Sequence, residues 1–271
     1  MFSTGKIFTL GKWARQVSAT FTYLWVSAFV LIAAPANAES EAPLIAVAAN
    51  MSQTVEEIAG AFSEQTALRV RLSFGASGNL TRQILQGAPF ELFLSADKHY
   101  PRMLSDAGLT IDDGVVYAIG RLVLFIGPSS IVDRSVPLHE QIKMLAEEQG
   151  YIAVANSETA PYGRATFEVL NRFKLWETLA PRLATAENVA QAAQFIASGS
   201  AASGFIPYSY ASITAARSGG SYLVIPDDWY SPLRQCMVRL RGASPTALAF
   251  YNFVLESAGR EIIHRHGYGL P

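Results

Sequence analysis

Phe74-Gly75-Ala76-Ser77-Gly78-Asn79 is a turn of small residues, with one hydroxyl and one amide, set between a strand pattern and a helix pattern. Such a turn leaves backbone N–H groups free at a helix start, where the macrodipole favours an anion. Three further junctions have the same chemistry: Asn50 with Ser52, Tyr162 with Gly163, and Asn188 with Val189. Taken singly, each is also an ordinary N-cap, contributing about 1 kcal/mol to its helix. Together they point to one site, because ligands of open α/β sheets bind beyond the carboxyl ends of the strands. Apart from Arg164, no Lys or Arg lies in these turns. Neutral donors and helix dipoles can replace the hydration shell of a small oxyanion without a counter-ion. A donor-only site prefers a fully ionised dianion, whereas hydrogen phosphate would need an acceptor for its proton.

Signatures of catalysis are missing. The chain has no G-x-S-x-G elbow, no G-x-x-x-x-G-K-[ST] loop, no H-E-x-x-H and no G-x-G-x-x-G. His264 and His266 are two apart on a helix pattern and face different ways, so they read as solvated positions. His99 and His139 have no second ligand in view. Asp97 reads as an N-cap for the helix at Lys98, and Asp227-Asp228-Trp229-Tyr230 as a solvated loop or a cleft rim. An exported enzyme for an anionic metabolite would need an acid/base or metal constellation that is not here. A structural or adhesive protein would not need four donor-rich turns. The chain therefore reads as a binder, not an enzyme, with no cofactor.

These junctions must be positioned by alternating strands and helices, the pattern of an α/β protein with mainly parallel sheets. Leu44 to Ala49 is a short, continuous apolar run, as expected for a strand covered on both faces. Val55, Ile58, Ala59 and Phe62 form the helical stripe after it. Further strands are expected at Val70 to Phe74, Phe90 to Ser95, Tyr151 to Ala155, Leu183 to Ala186, Gly204 to Ile206 and Tyr222 to Ile225. Tyr117 to Gly127 is read as one long strand crossing between lobes, and Gln235 to Arg241 as the return. Terminal helices are expected over Ala247 to Leu255 and Glu261 to His266. This is a two-lobed plan with a cleft: residues 39–120 with 234–271 in one lobe, and 121–233 in the other.

Residues 1–38 read as a secretory signal peptide: Lys6, Lys12 and Arg15, then an apolar run from Phe21 to Ala34, then Ala36-Asn37-Ala38. The run is shorter than the ~20 residues that a membrane span needs. Its removal leaves 18 basic against 22 acidic residues, a net charge of −4. That excludes broad electrostatic capture of nucleic acid. Cys236 is the single cysteine, so no intramolecular disulfide and no Cys-based metal site can form. The expected product is a soluble, periplasmic monomer.

Ala48-Ala49-Asn50, Phe74-Gly75-Ala76-Ser77-Gly78, the segment Gln86 to Asp97, Ala160-Pro161-Tyr162-Gly163, Glu187-Asn188-Val189 and the ending Gly267 to Pro271 resemble the periplasmic molybdate-binding proteins (ModA) of ABC transporters. The resemblance covers the mature chain in order, and Gln86 to Asp97 is its most specific part. It implies an α/β, two-lobed periplasmic-binding-protein-like fold of type II, with crossing strands and a cleft that closes on molybdate or tungstate. It also implies delivery to an inner-membrane ABC permease with its cytoplasmic ATPase. By position, Asn50, Ser77, Tyr162 and Val189 match the anion-contacting residues. Some members carry a contacting Tyr where this chain has Pro207. Tyr208 would point differently, which leaves Tyr162 to supply the missing hydroxyl. Another tetrahedral oxyanion such as sulfate stays open, because selection by size depends on the cavity radius.

Overall fold

The computed structural model describes residues 42–271, so the signal expected over residues 1–38 lies outside the described residues. Among the described residues the strands form two five-stranded sheets. The first contains β1 (Leu44–Ala48), β2 (Arg71–Gly75), β3 (Phe90–Ser95) and β4 (Val115–Ile119), with β10 (Arg234–Arg239) inserted between β3 and β4. The second contains β5 (Leu122–Ile126), β6 (Ile152–Ala155), β7 (Leu183–Ala186), β8 (Ser203–Pro207) and β9 (Ser221–Val224), in the order β7-β6-β8-β5-β9. Both sheets are mixed, not mainly parallel. β1 runs parallel to β2 and β3, and β6 to β7 and β8, whereas β10 and β5 are antiparallel to both of their neighbours. The two antiparallel strands are those that enter each sheet on a crossing between lobes. Tyr117 to Gly127 is not one long strand: Gly120-Arg121 breaks it, ending β4 in the first sheet and starting β5 in the second.

The helices are α1 (Ser52–Thr66), α2 (Ser77–Leu85), α3 (His99–Asp106), α4 (Leu138–Met144), α5 (Pro161–Arg172), α6 (Trp176–Leu179), α7 (Val189–Ala197), α8 (Tyr208–Ser218), α9 (Pro245–Leu255) and α10 (Ser257–Arg265). Side chains alternate across each strand, so one strand serves two cores. Ile45 and Val47 join the core under α1, α9 and α10, where Phe62 meets Phe250 and Phe253 edge-on at centroid distances of 5.3 and 5.5 Å. Ala46 faces the opposite side, with Leu80, Ile84 and Leu104 of α2 and α3. In β5, Leu122, Leu124 and Ile126 pack toward α5, and Val123 and Phe125 toward α7 and α8. Completely burying a side chain such as Phe62 contributes about 1.5–3 kcal/mol. This double burial explains why the central strands are apolar throughout.

Candidate functional site

The carboxyl ends of β1, β2, β3, β6 and β7 open onto one small cavity. Its walls are Ala48, Ala76, Ala96 and Ala160, whose small side chains let the two lobes approach closely. Asn50, Ser77, Tyr162 and Val189 all line it, and no lining residue is charged. Ser52 does not; it lines a neighbouring groove of ≈ 870 Å³.

Each of the four residues stands where a helix begins, and opening N–H groups have no acceptor within their own helix. Ser77 is the first residue of α2 and is 1 % exposed. Its Oγ accepts from the Ala96 N–H at 3.1 Å, and among the described residues its own proton finds no acceptor. The hydroxyl thus keeps a proton to donate. At α7, the Asn188 Oδ1 accepts from the N–H groups of Ala190 and Gln191 at 3.0 and 3.2 Å, which leaves the Val189 N–H uncapped. Pro161 opens α5 without needing a donor, and Tyr162 supplies the next N–H. Asn50 lies in the 3-10 turn Ala49–Met51 that leads into α1.

Two side chains do not do what their types suggest. The Asn50 amide donates to the Gln235 Oε1 at 2.8 Å and to the Tyr268 hydroxyl at 3.1 Å, so it is tied to the return crossing and the C-terminal segment. The Tyr162 hydroxyl is fully buried with no protein partner, and lies against Gly120, where any β-carbon would collide with it. Burial pushes this phenol well above its usual range, with the neighbouring Tyr268, Tyr230 and Tyr117 adding to the shift. The ring carries its hydroxyl to Gly120 at the β4–β5 crossing, beside the Asn50 side chain. Tyr208 does not line the cavity: its ring lies under the Arg121 guanidinium at 4.6 Å and meets Tyr222 edge-on.

The lobes are held together around the cavity. The Gly78 N–H donates to the Thr159 carbonyl at 2.8 Å, the Tyr100 hydroxyl to the Glu158 carbonyl at 2.9 Å, and the Asn79 amide to the Glu187 Oε1 at 3.2 Å. Gly78 permits this approach, since a β-carbon there would lie 3.0 Å from the Thr159 backbone of the other lobe. The Asp97 Oδ2 pairs with the Arg164 Nη2 at 3.1 Å, while its Oδ1 accepts from the N–H groups of His99 and Tyr100. Asp97 thus caps α3, which begins at His99, one residue later than expected. Arg164 is 37 % exposed, so this pair contributes only about 0.2–1 kcal/mol. Both charges are spent on each other.

Gly120, Gln235, Ser209, Tyr210 and Tyr268 support the site but do not stand out by residue type. Their roles come from contacts far along the chain, and no local spacing announces them. Among the described residues, no group of three or more His, Cys, Asp or Glu is placed to hold a metal ion, and no helix is long and apolar enough to cross a membrane.

The family described as bacterial extracellular solute-binding protein matches residues 43–269. Over 229 residues the chain is 37% identical to the molybdate-binding protein ModA of Rhodobacter capsulatus, covering 83% of this chain and 87% of that one. It is 36% identical to the ModA of Azotobacter vinelandii, with 83% and 89% covered. The solved periplasmic molybdate-binding protein of Azotobacter vinelandii superposes with a TM-score of 0.76 at 34% identity, over 84% of this chain and 99% of that one. The sulfate-binding protein SubI of Mycobacterium tuberculosis is similar in fold alone, with a TM-score of 0.65 at 15% identity over 84% and 85% of the two chains.

Proposed function

From the premise that this chain belongs to the bacterial extracellular solute-binding proteins, and within them to the ModA molybdate-binding proteins, we propose that it captures molybdate between its lobes and delivers it to an ABC transporter for uptake. It is a binding protein and not an enzyme. The observation that carries the ligand is the donor set: a small cavity with four helix starts, two lining residues (Ser77 and Tyr162) whose hydroxyl protons have no protein acceptor, and no charged lining residue.

In this reading Ser77 donates through its hydroxyl and its N–H, and Asn50, Tyr162 and Val189 donate through N–H groups. A tetrahedral dianion such as molybdate or tungstate presents only acceptors, so every donor finds a partner. Hydrogen phosphate would bring a proton to a cavity without a carboxylate to receive it. Because the donors are neutral and fixed, they replace hydration without reorganising, and the opening turns of α2, α5 and α7 add favourable dipoles. The small alanines set the distance at which the lobes close, and hence the size of anion accepted.

The lobes are assigned as 39–120 with 234–271 and 121–233, hinged at the crossings beside Gly120 and Arg234. Residues 1–38 direct export to the periplasm, where the protein acts as a monomer and hands its anion to an inner-membrane permease driven by a cytoplasmic ATPase. The second reading is sulfate, supported by a donor-only cavity that suits any tetrahedral dianion. Titration calorimetry on the mature protein tests both. Molybdate and tungstate should bind, with sulfate weaker by about a hundredfold, a gap of about 2.8 kcal/mol. No heat with molybdate would overturn the proposal, and tighter binding of sulfate would put the second reading first.

A further inference from the structure

The turn that carries Asn50 is gripped from behind by three hydroxyls. The Tyr210 hydroxyl donates to the Ala49 carbonyl at 3.0 Å and lies 2.6 Å from the Ser52 Oγ. The Ser209 Oγ donates to the Asn50 carbonyl at 3.0 Å. The Tyr268 hydroxyl donates to that same carbonyl at 2.6 Å, accepts from the Asn50 amide, and stands 3.1 Å from the Ser209 Oγ. Ser209 and Tyr210 open α8 in the second lobe. Tyr268 packs in the core of the first lobe, and its flanking residues hold the crossing: Gly269 pairs with Ile119, and the Gly267 carbonyl accepts from Arg121.

A trans peptide carries its C=O and N–H on opposite sides. Holding the Ala49 carbonyl therefore sets the direction of the Asn50 N–H, and holding the Asn50 carbonyl sets that of Met51. We propose that Ser209 and Tyr210, backed by Tyr268, are positioning residues: a hydroxyl clamp that aims the Asn50 N–H at the anion and assembles when α8 meets the Asn50 turn. The inference rests on reading the cavity as an oxyanion site. None of the three hydroxyls touches the cavity; they act through the backbone of Asn50. Since the bonds from Ser209 and Tyr210 cross between lobes, they exist only in the closed state. Their loss speeds release of the anion and leaves the open protein intact.

The test compares the mature wild-type protein with Tyr210→Phe, Ser209→Ala, Ser209→Thr and Tyr268→Phe, using molybdate calorimetry, stopped-flow dissociation, and melting with and without molybdate. Tyr210→Phe and Ser209→Ala should each weaken binding by about 2- to 12-fold, the net worth of one hydrogen bond, chiefly through faster dissociation. The melting temperature without anion should stay unchanged in both, and Ser209→Thr should restore affinity. If Tyr268→Phe does not fold, the two α8 variants still decide the matter. Wild-type affinity and dissociation in Tyr210→Phe and Ser209→Ala would overturn the clamp, as would an affinity loss matched by an equal loss of stability without anion. Wild-type protein that binds no molybdate, tungstate or sulfate would instead overturn the underlying reading, and the clamp with it.

Discussion

Removing the Ser77 hydroxyl separates the two bonds that meet on it. In Ser77→Ala the anion loses a donor, and a hydrogen bond to a charged group contributes about 1.5–3 kcal/mol. At about 1.4 kcal/mol per tenfold, molybdate affinity should fall by about 10- to 150-fold. The same change leaves the Ala96 N–H buried beside an alanine methyl, because the Oγ that accepted from it at 3.1 Å is gone. An orphaned buried donor costs about 1–3 kcal/mol. In a chain of this size, that lowers the melting temperature by about 2–10 °C even without anion. The two losses are read separately, by calorimetry for affinity and by thermal melting for stability. Affinity within about twofold of wild type would refute the assignment of Ser77 as a donor. An unchanged melting temperature would refute the weight given to its bond with Ala96.

Gly78→Ala places a methyl 3.0 Å from the Thr159 backbone, at a contact between lobes, and 2.8 Å from the movable end of the Tyr100 side chain in its own lobe. Affinity should fall about tenfold or more while the melting temperature without anion is kept, and small-angle scattering should show less contraction with molybdate than in wild type; full contraction would count against this contact. At alkaline pH the buried Cys236 thiol is pushed up to about 11 and the Tyr230 phenol to about 12, both by burial, and Tyr117, Tyr162 and Tyr268 also move up. The folded state favours the neutral forms, so this stability is present below about pH 8.5, where the unfolded thiol begins to ionise, and is lost as pH rises toward 11 and 12. Melting temperatures measured from pH 7 to 12 should be flat up to about pH 8.5 and then fall; a flat profile throughout would contradict the burial of these groups.

Much of the fold is legible in the chain because its causes are local. The apolar run at Leu44 to Ala48 needs cover on both faces, and Asn188 after β7 starts α7 by capping it with its own side chain. The neutrality of the site is equally local, since it follows from which residues are absent from four short turns. Less legible were strand pairing and α8. β10 inserts between β3 and β4 from the far end of the chain, and Tyr208 to Ser218 mixes Ile, Thr and Ser with two tyrosines, a weak helical signal.

The sequence by itself determined that four donor-rich helix starts stand at strand ends, with no charge among them that would demand a counter-ion. Only the tertiary structure decided which partners the side chains of those residues meet. The Asn50 side chain turns to Gln235 and Tyr268, 185 and 218 positions away, and the Tyr162 hydroxyl turns to Gly120. A side chain's direction is settled by partners that the fold brings to it, and those partners leave no trace in the spacing around it. A backbone N–H at a helix start lacks an acceptor in its own helix wherever the helix begins, whereas a supporting contact exists only where the fold brings its partner.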